Sequence, residues 1–347
     1  MLKEIGTRTW SSFVASHSTR SRSLPSTPTC VPGLTISIDE LLRLRDQAAG
    51  FGFSSPRQAR SIQAGGHLSP YRGRGMEFEE VRAYQPGDDI RHMDWRVTAR
   101  TGRPHTKLFR EERERPVLFL VDLGPSMAFG VRVALKSVVA ARAAALLAWA
   151  ARDNGDRMGG VVSAGERHRE LRPAARERGL LPFFRALVEL QPDALTPIAT
   201  PADARNGHWT AALQRLTGIV RPGSLVFLLS DFRGASNPAV AQAFARLAAH
   251  SEVVVILVYD PLEAEAPPPG RYPVCDGQCF TVLDTSAPGV AEAYRQRFAS
   301  RRDAVRMLCH RHGGHFLMLA TDQPTPESLR HGLAIHHRRP GALARRA

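Results

Sequence analysis

Lysine is almost missing from this chain. Three occur in 347 residues, Lys3, Lys107 and Lys136, although the formal net charge is +14. Arginine therefore carries nearly all of the positive charge, and it is scattered through every segment, often beside acids, as in Arg110-Glu111-Glu112-Arg113-Glu114-Arg115. A phosphate-reading surface gathers its cations on one face or stripe. Here the one acid-free cluster is the end of the chain, from His336-His337-Arg338-Arg339 to Arg345-Arg346. A basic nucleic-acid-associated protein using that tail is kept as the alternative reading, not the leading one. Cysteine is also scarce, with Cys30, Cys275, Cys279 and Cys309, too few for a disulfide framework at this length. No run of about 18 uncharged apolar residues is present, so no membrane span is read. The first residues lack a continuous apolar core of the signal-peptide kind. With no secretory signal, the expected compartment is the cytoplasm.

Catalytic signatures are lacking too. There is no nucleophile elbow, phosphate loop, dinucleotide-binding glycine pattern or metalloprotease helix. Cys275-x3-Cys279 with Cys309 and His312 has zinc-like spacing, but the first pair flanks a turn and Cys309 lies on a helix. The acids Asp88, Asp89 and Asp94 are not grouped with a base, which argues against a hydrolase. The expectation is a protein that is not an enzyme.

What is present is a strand–helix alternation that starts at Pro116. Val117 to Asp122 is an apolar run ending in a carboxylate, followed by a Gly-Pro turn, Ser126, and an alanine-rich helical segment. Such runs read as strands buried on both faces of a parallel sheet. Strands are expected at 117–122, 157–163, 225–230, 252–259 and 315–319. Helices are expected at 133–152, 179–190, 209–219, 238–250, 288–311 and 325–333. The fold class is α/β, with a doubly wound, mostly parallel sheet. The stretch around Asp276-Gly277 reads as a hairpin or bulged loop. The organisation expected is a disordered leader over 1–33, a helix and charged β-rich layer over 34–115, the α/β domain over 116–322, and a C-terminal helix with basic tail over 323–347. The first helix should start at Ser37, with Glu40 closing a capping box.

Asp122-Leu-Gly-Pro-Ser126-Met127 after a buried strand resembles the metal-binding loop of the von Willebrand factor A fold. There a D-x-S-x-S loop, a threonine and a further aspartate hold magnesium. By that resemblance Asp122, Ser126 and Asp231 supply three of the five groups. Gly124 replaces the middle serine, and Thr210 is the only candidate threonine. The site is therefore read as degenerate, with magnesium as the sole implied cofactor. The competing and preferred reading has Asp122 and Asp231 capping helices or bonding loop amides, because ligand number governs affinity for such ions.

A second resemblance is longer. Gly73-x-Gly75-x-Glu77-Phe78-x-x-Val81-Arg82-x-Tyr84-x-Pro86-Gly87-Asp88-Asp89-x-Arg91-x-x-Asp94-Trp95 is similar to the signature of the bacterial family known as domain of unknown function 58. Thr98-Ala99-Arg100, Lys107, Glu111, Val121-Asp122, Ser126-Met127 and Gly155-Asp156-Arg157 continue it. The resemblance covers roughly residues 35 to 320 and implies a von Willebrand factor A-like domain in a cytoplasmic, non-catalytic adaptor. It also implies a MoxR-type AAA+ ATPase and client proteins as partners. Arg82, Asp88, Asp89, Arg91, Asp94 and Arg100 then become candidates for a charged docking face, since bidentate Arg–carboxylate pairs confer specificity. The alternative is an internal salt-bridge network fixing the β layer on the sheet, preferred for Asp94 because Trp95 beside it is expected to be buried; Asp88 and Asp89 are expected to be exposed in a turn.

Overall fold

A computed structural model describes residues 31–49, 51, 76–85, 88, 90–111, 115–191, 202–235, 237–275 and 280–337. Most of the expected leader, most of the loop expected over 51–75, Asp89 and the arginine-rich tail lie outside these residues.

The described chain begins with two short helices, α1 (Ile38–Arg43) and α2 (Arg45–Ala48). Ser37 Oγ accepts from Glu40 N and starts α1 as expected. The Glu40 carboxylate does not close a capping box; it accepts from Arg142 Nε at 2.6 Å. Strand β1 (Met76–Ala83) pairs antiparallel with β2 (His105–Glu111), and between them lies α3 (Trp95–Thr101). The β-rich layer thus carries a helix that the alternating charges concealed. Trp95 is 67% exposed, so the expectation of a buried tryptophan is corrected.

The main sheet follows. β3 (Pro116–Asp122) leads to α4 (Lys136–Asp153), then β4 (Arg157–Ala164), β5 (Arg167–Ala175), α5 (Glu177–Glu189) and α6 (Ala202–Ile219). β6 (Leu225–Ser230), α7 (Pro238–His250), β7 (Glu252–Tyr259) and α8 (Pro261–Ala264) come next. A hairpin of β8 (Arg271–Cys275) and β9 (Phe280–Asp284), then α9 (Val290–His312), β10 (His315–Ala320) and α10 (Thr325–His337), complete the order. The six strands run β10-β7-β6-β3-β4-β5. All neighbours are parallel except β4 and β5. The doubly wound, mostly parallel α/β sheet is therefore present, with one antiparallel edge strand that sequence reading missed.

The period-two geometry of a strand divides the core into two layers. Val117, Phe119 and Val121 of β3 face the layer built by α1, α2, α4, α5 and α10. Leu118 and Leu120 face the layer of α6, α7 and α9. Every residue from Val117 to Val121 is wholly buried, and burying such a side chain contributes roughly 1.5–3 kcal/mol. Alanine dominates α4, the best helix former and small enough for a central helix to lie close on the sheet. Gly160 of β4 is required at its place: with φ 141°, a Cβ there would sit 1.9 Å from the Phe119 carbonyl oxygen.

The segment before β1 is tied to this body. Gln191 clamps Ile36 through both backbone groups, accepting from its N at 2.8 Å and donating to its O at 3.2 Å. Trp149 Nε1 donates to the Leu41 carbonyl at 2.9 Å.

Candidate functional site

Parallel strands end at one edge, and here three neighbours end in carboxylates. Asp122 closes β3, Asp231 follows β6 and Asp260 follows β7. Thr321 follows β10 in the same row. Ligands in open α/β sheets bind outside this carboxyl edge.

Asp122 is held on both oxygens. Oδ1 accepts from Gly124 N at 2.8 Å, and Oδ2 accepts from Ser230 Oγ at 2.6 Å. Ser230 Oγ also accepts from Phe232 N at 3.0 Å. That bond pins Phe232, whose φ of 52° lies in the left-handed region. Such a conformation costs about 1–3 kcal/mol in a bulky residue and persists only where its surroundings impose it. The Phe232 ring packs edge-on against Trp209, centroids 5.2 Å apart. A Cβ at Gly124 would lie 2.9 Å from Asp122 Oδ1, so a side chain there requires a small shift of the carboxylate.

Asp231 is wholly buried and faces a cation from its own chain. Lys136 Nζ donates to Asp231 Oδ2 at 2.8 Å and to both Glu263 oxygens at 3.0 and 3.1 Å. Neither the Lys136 nor the Asp231 side chain has appreciable solvent exposure. Arg233 adds contacts to Asp231 Oδ2 at 3.2 Å and Glu263 Oε1 at 3.0 Å, and Arg301 approaches Glu263 at 3.6 Å. Asp231 Oδ1 accepts from Arg233 N at 3.3 Å.

Asp260 joins the remaining pieces. Its Oδ1 accepts from Leu262 N, and with Glu263 it forms a capping box on α8. Its Oδ2 accepts from Thr321 Oγ1 at 2.6 Å and from Val131 N at 3.1 Å. The last bond fixes the long loop between β3 and α4. Lys136 N donates to Phe129 O, and Leu135 N donates to Gly33 O, fixing it twice more.

The electrostatics of the two predicted aspartates diverge. Burial, then the nearby Asp231 charge, push the Asp122 carboxyl up to about 6, against its bonds from Ser230 and Gly124. For Asp231, burial pushes the same way, but the charges of Lys136 and then Arg233 outweigh it. They hold that carboxyl well below the usual carboxylate range.

Of the residues expected to hold magnesium, Asp122 and Asp231 share this edge and Ser126 lies half-buried in the turn after β3. The Thr210 hydroxyl, on α6, is buried without a hydrogen-bond partner among the described residues. The donors do not fit a divalent ion. An ammonium already lies against Asp231 and Glu263, both Asp122 oxygens are engaged, and like charge would repel an incoming metal. Among the described residues no group of three or more His, Cys, Asp and Glu side chains is arranged to hold a metal ion. For the zinc spacing, Cys309 is buried in the core layer of α6, α7 and α9, and burial pushes its thiol up to about 12.

The second set of expected site residues lies on the β1–β2 unit. Arg82 Nη2 bonds Asp88 Oδ1 at 2.7 Å, and Asp88 Oδ2 accepts from Gln85 N. Asp88 is therefore half-buried, not exposed as expected. Asp94 accepts from Arg96 N and Val97 N, capping α3, and lies 3.6 Å from Lys107. Arg91 and Arg100 are exposed. Sequence reading missed Lys136, Ser230, Asp260 and Glu263. A signal existed for two of them. The apolar run Val253–Tyr259 also ends in aspartate, and Lys136 is one of three lysines yet opens an apolar helix.

The family model described as "Protein of unknown function DUF58" matches residues 80–307. The chain belongs to this family. The DUF58 signature read at residues 73–95 overlaps the start of that match. Relatives are uncharacterised proteins: Mb1516 of Mycobacterium bovis and Rv1480 of Mycobacterium tuberculosis are each 31% identical over 281 residues, covering 81% of this chain and 85% of theirs. Among solved structures, the conserved hypothetical protein BatB from Bacteroides thetaiotaomicron is 16% identical with a TM-score of 0.39, covering 65% of this chain and 100% of BatB. A von Willebrand factor type A protein from Catenulispora acidiphila is 13% identical with a TM-score of 0.34, covering 67% of this chain and 43% of that one. No helix among the described residues of this DUF58 protein is long and apolar enough to cross a membrane.

Proposed function

We propose that this DUF58 protein is a non-catalytic adaptor that docks a protein partner at the carboxyl edge of its sheet. The loop between β3 and α4 carries the reading. Val131 and Val133 are 54% and 60% exposed on either side of the exposed Arg132. Yet the backbone around them is fixed by Asp260, Gly33 and Phe129. A rigid loop presenting apolar side chains beside a guanidinium loses little conformational entropy on binding, and arginine is enriched at interfaces. The carboxylates behind it are paired or hydrogen-bonded: Asp122 accepts from the Ser230 hydroxyl, Asp260 from that of Thr321, and Asp231 from the Lys136 ammonium. The partner proposed, on family resemblance, is a MoxR-type AAA+ ATPase in the cytoplasm, with client proteins beyond it.

The test is calorimetric titration of the full chain with a MoxR-type ATPase from the same genome. Binding is expected, weakened at least tenfold by Val131→Glu with Val133→Glu at unchanged thermal midpoint. Equal affinity of wild type and variant would remove the loop from the interface.

A further inference from the structure

We propose that Lys136 is a tethered cation that permanently takes the place of a divalent ion at the carboxyl edge. The proposal does not rest on the docking reading; it concerns how the edge itself is held together.

Four observations converge. First, Lys136 is fully buried at the first position of α4, in a helix that is otherwise almost wholly apolar. A lysine in such a place is unfavourable unless its charge is met. Second, its ammonium reaches carboxylates from two separate strand ends, Asp231 after β6 and Glu263 after β7, with three contacts between 2.8 and 3.1 Å. A metal ion cross-links a sheet edge in the same sense, by drawing carboxylates from several loops onto one centre. Third, Arg233 meets both carboxylates and Arg301 meets Glu263, so together with Lys136 three cations already surround the two acids. Fourth, Gly124 stands where a hydroxyl ligand would be expected, and its N–H already donates to Asp122 Oδ1 at 2.8 Å. A lysine also differs from a metal in kind: it has no coordination vacancy to offer a partner's carboxylate. The edge therefore has no open ligand position through which a metal-bridged contact could form, and its cross-link is insensitive to chelators.

Removing the ammonium should convert the site. Lys136→Ala leaves Asp231 and Glu263 facing a small void with two arginines at its rim. A hard cation with oxygen preference suits that set.

The full-length protein is titrated with Mn²⁺ by electron paramagnetic resonance, and its thermal midpoint is read in EDTA and in 10 mM Mg²⁺. Wild type is expected to show no saturable Mn²⁺ binding and the same midpoint in both buffers. Lys136→Ala, refolded with and without Mn²⁺, is expected to melt lower than wild type and to recover part of that loss with Mn²⁺. It should bind about one ion per chain, and the added change Asp231→Asn should abolish this response. Saturable Mn²⁺ binding by wild type that is lost in Asp122→Asn overturns the proposal. So does a Lys136→Ala protein whose yield, midpoint and Mn²⁺ binding do not respond to the metal. Neither result bears on whether a partner docks at the loop.

Discussion

Lys136 Nζ and Asp231 Oδ2 lie 2.8 Å apart with both side chains buried, and they are 95 residues apart in the chain. An ion pair removed from water is held by geometry and by its further bonds rather than by attraction alone. Breaking one side leaves a bare charge inside. Asp231→Asn should therefore cost about 3–5 kcal/mol at neutral pH in urea denaturation. The Asp231 carboxyl titrates lower folded than unfolded. Its contribution is thus present above the ordinary aspartate range and is lost as pH falls through and below it. The gap between wild type and variant should narrow steadily on acidification below pH 4. A constant gap down to pH 2 would contradict the assignment.

Asp122 predicts the opposite sign. Its carboxyl is pushed up to about 6, so the folded state favours the protonated form. The corresponding stability is complete below about pH 4 and is lost as pH rises through 6. Asp122→Asn removes that loss while keeping an acceptor for Gly124 N and offering a donor to Ser230 Oγ. It should be more stable than wild type at pH 8, by up to about 3 kcal/mol, and no more stable at pH 4. Denaturant midpoints at the two pH values decide this. A variant destabilised at pH 8 would mean that the charge is wanted there.

β3, β6 and β7 were legible in the sequence because each is buried on nearly its whole length and reads as an unbroken apolar run; β4 and the edge strand β10 were legible from shorter apolar stretches. β5 was not. Its residues, Arg-His-Arg-Glu-Leu-Arg-Pro-Ala-Ala, lie on an edge and are mostly half-buried or exposed, so they carry no core signal. The site was half legible. Asp122 and Asp231 stand at the ends of apolar runs, which marks them locally. Their partners are tertiary: Lys136 reaches Glu263 across 127 residues, and no local pattern encodes that pairing. Trp95 shows the converse error. An aromatic in a charged segment suggests burial, but it opens α3 on the exposed side.

Two glycines should respond in opposite ways to alanine. Gly160→Ala drives a methyl group into the Phe119 carbonyl at a positive φ, in the middle of the sheet, and should abolish soluble expression. Gly218 lies in α6, where an added methyl group would have nothing within 4 Å. There alanine should raise stability by about 0.5–1 kcal/mol, through helix propensity and a less free unfolded chain. Soluble yield tests the first, and a melting curve beside wild type tests the second.

Cys309 should be chemically silent. Burial pushes its thiol up to about 12, and the thiolate is the reactive form. Iodoacetamide at pH 8, followed by peptide mass spectrometry, should leave Cys309 unlabelled in the native protein and labelled in 6 M guanidinium. Native labelling would place α9 away from the sheet.

The bond between Trp149 and Leu41 spans 108 residues. A ribosome adds about 5–20 residues each second, so α1 emerges on the order of 5–20 s before the helix that covers it exists. Throughout that interval Ile36, Leu41, Leu44 and Phe51, all buried in the finished fold, have no sheet or helix to rest on. The opening helices are thus the first part of this body to be made, and they wait for their seat until α4 has followed. The nascent chain carries an uncovered apolar face over that interval, and the time it must be kept from other chains is set by translation speed.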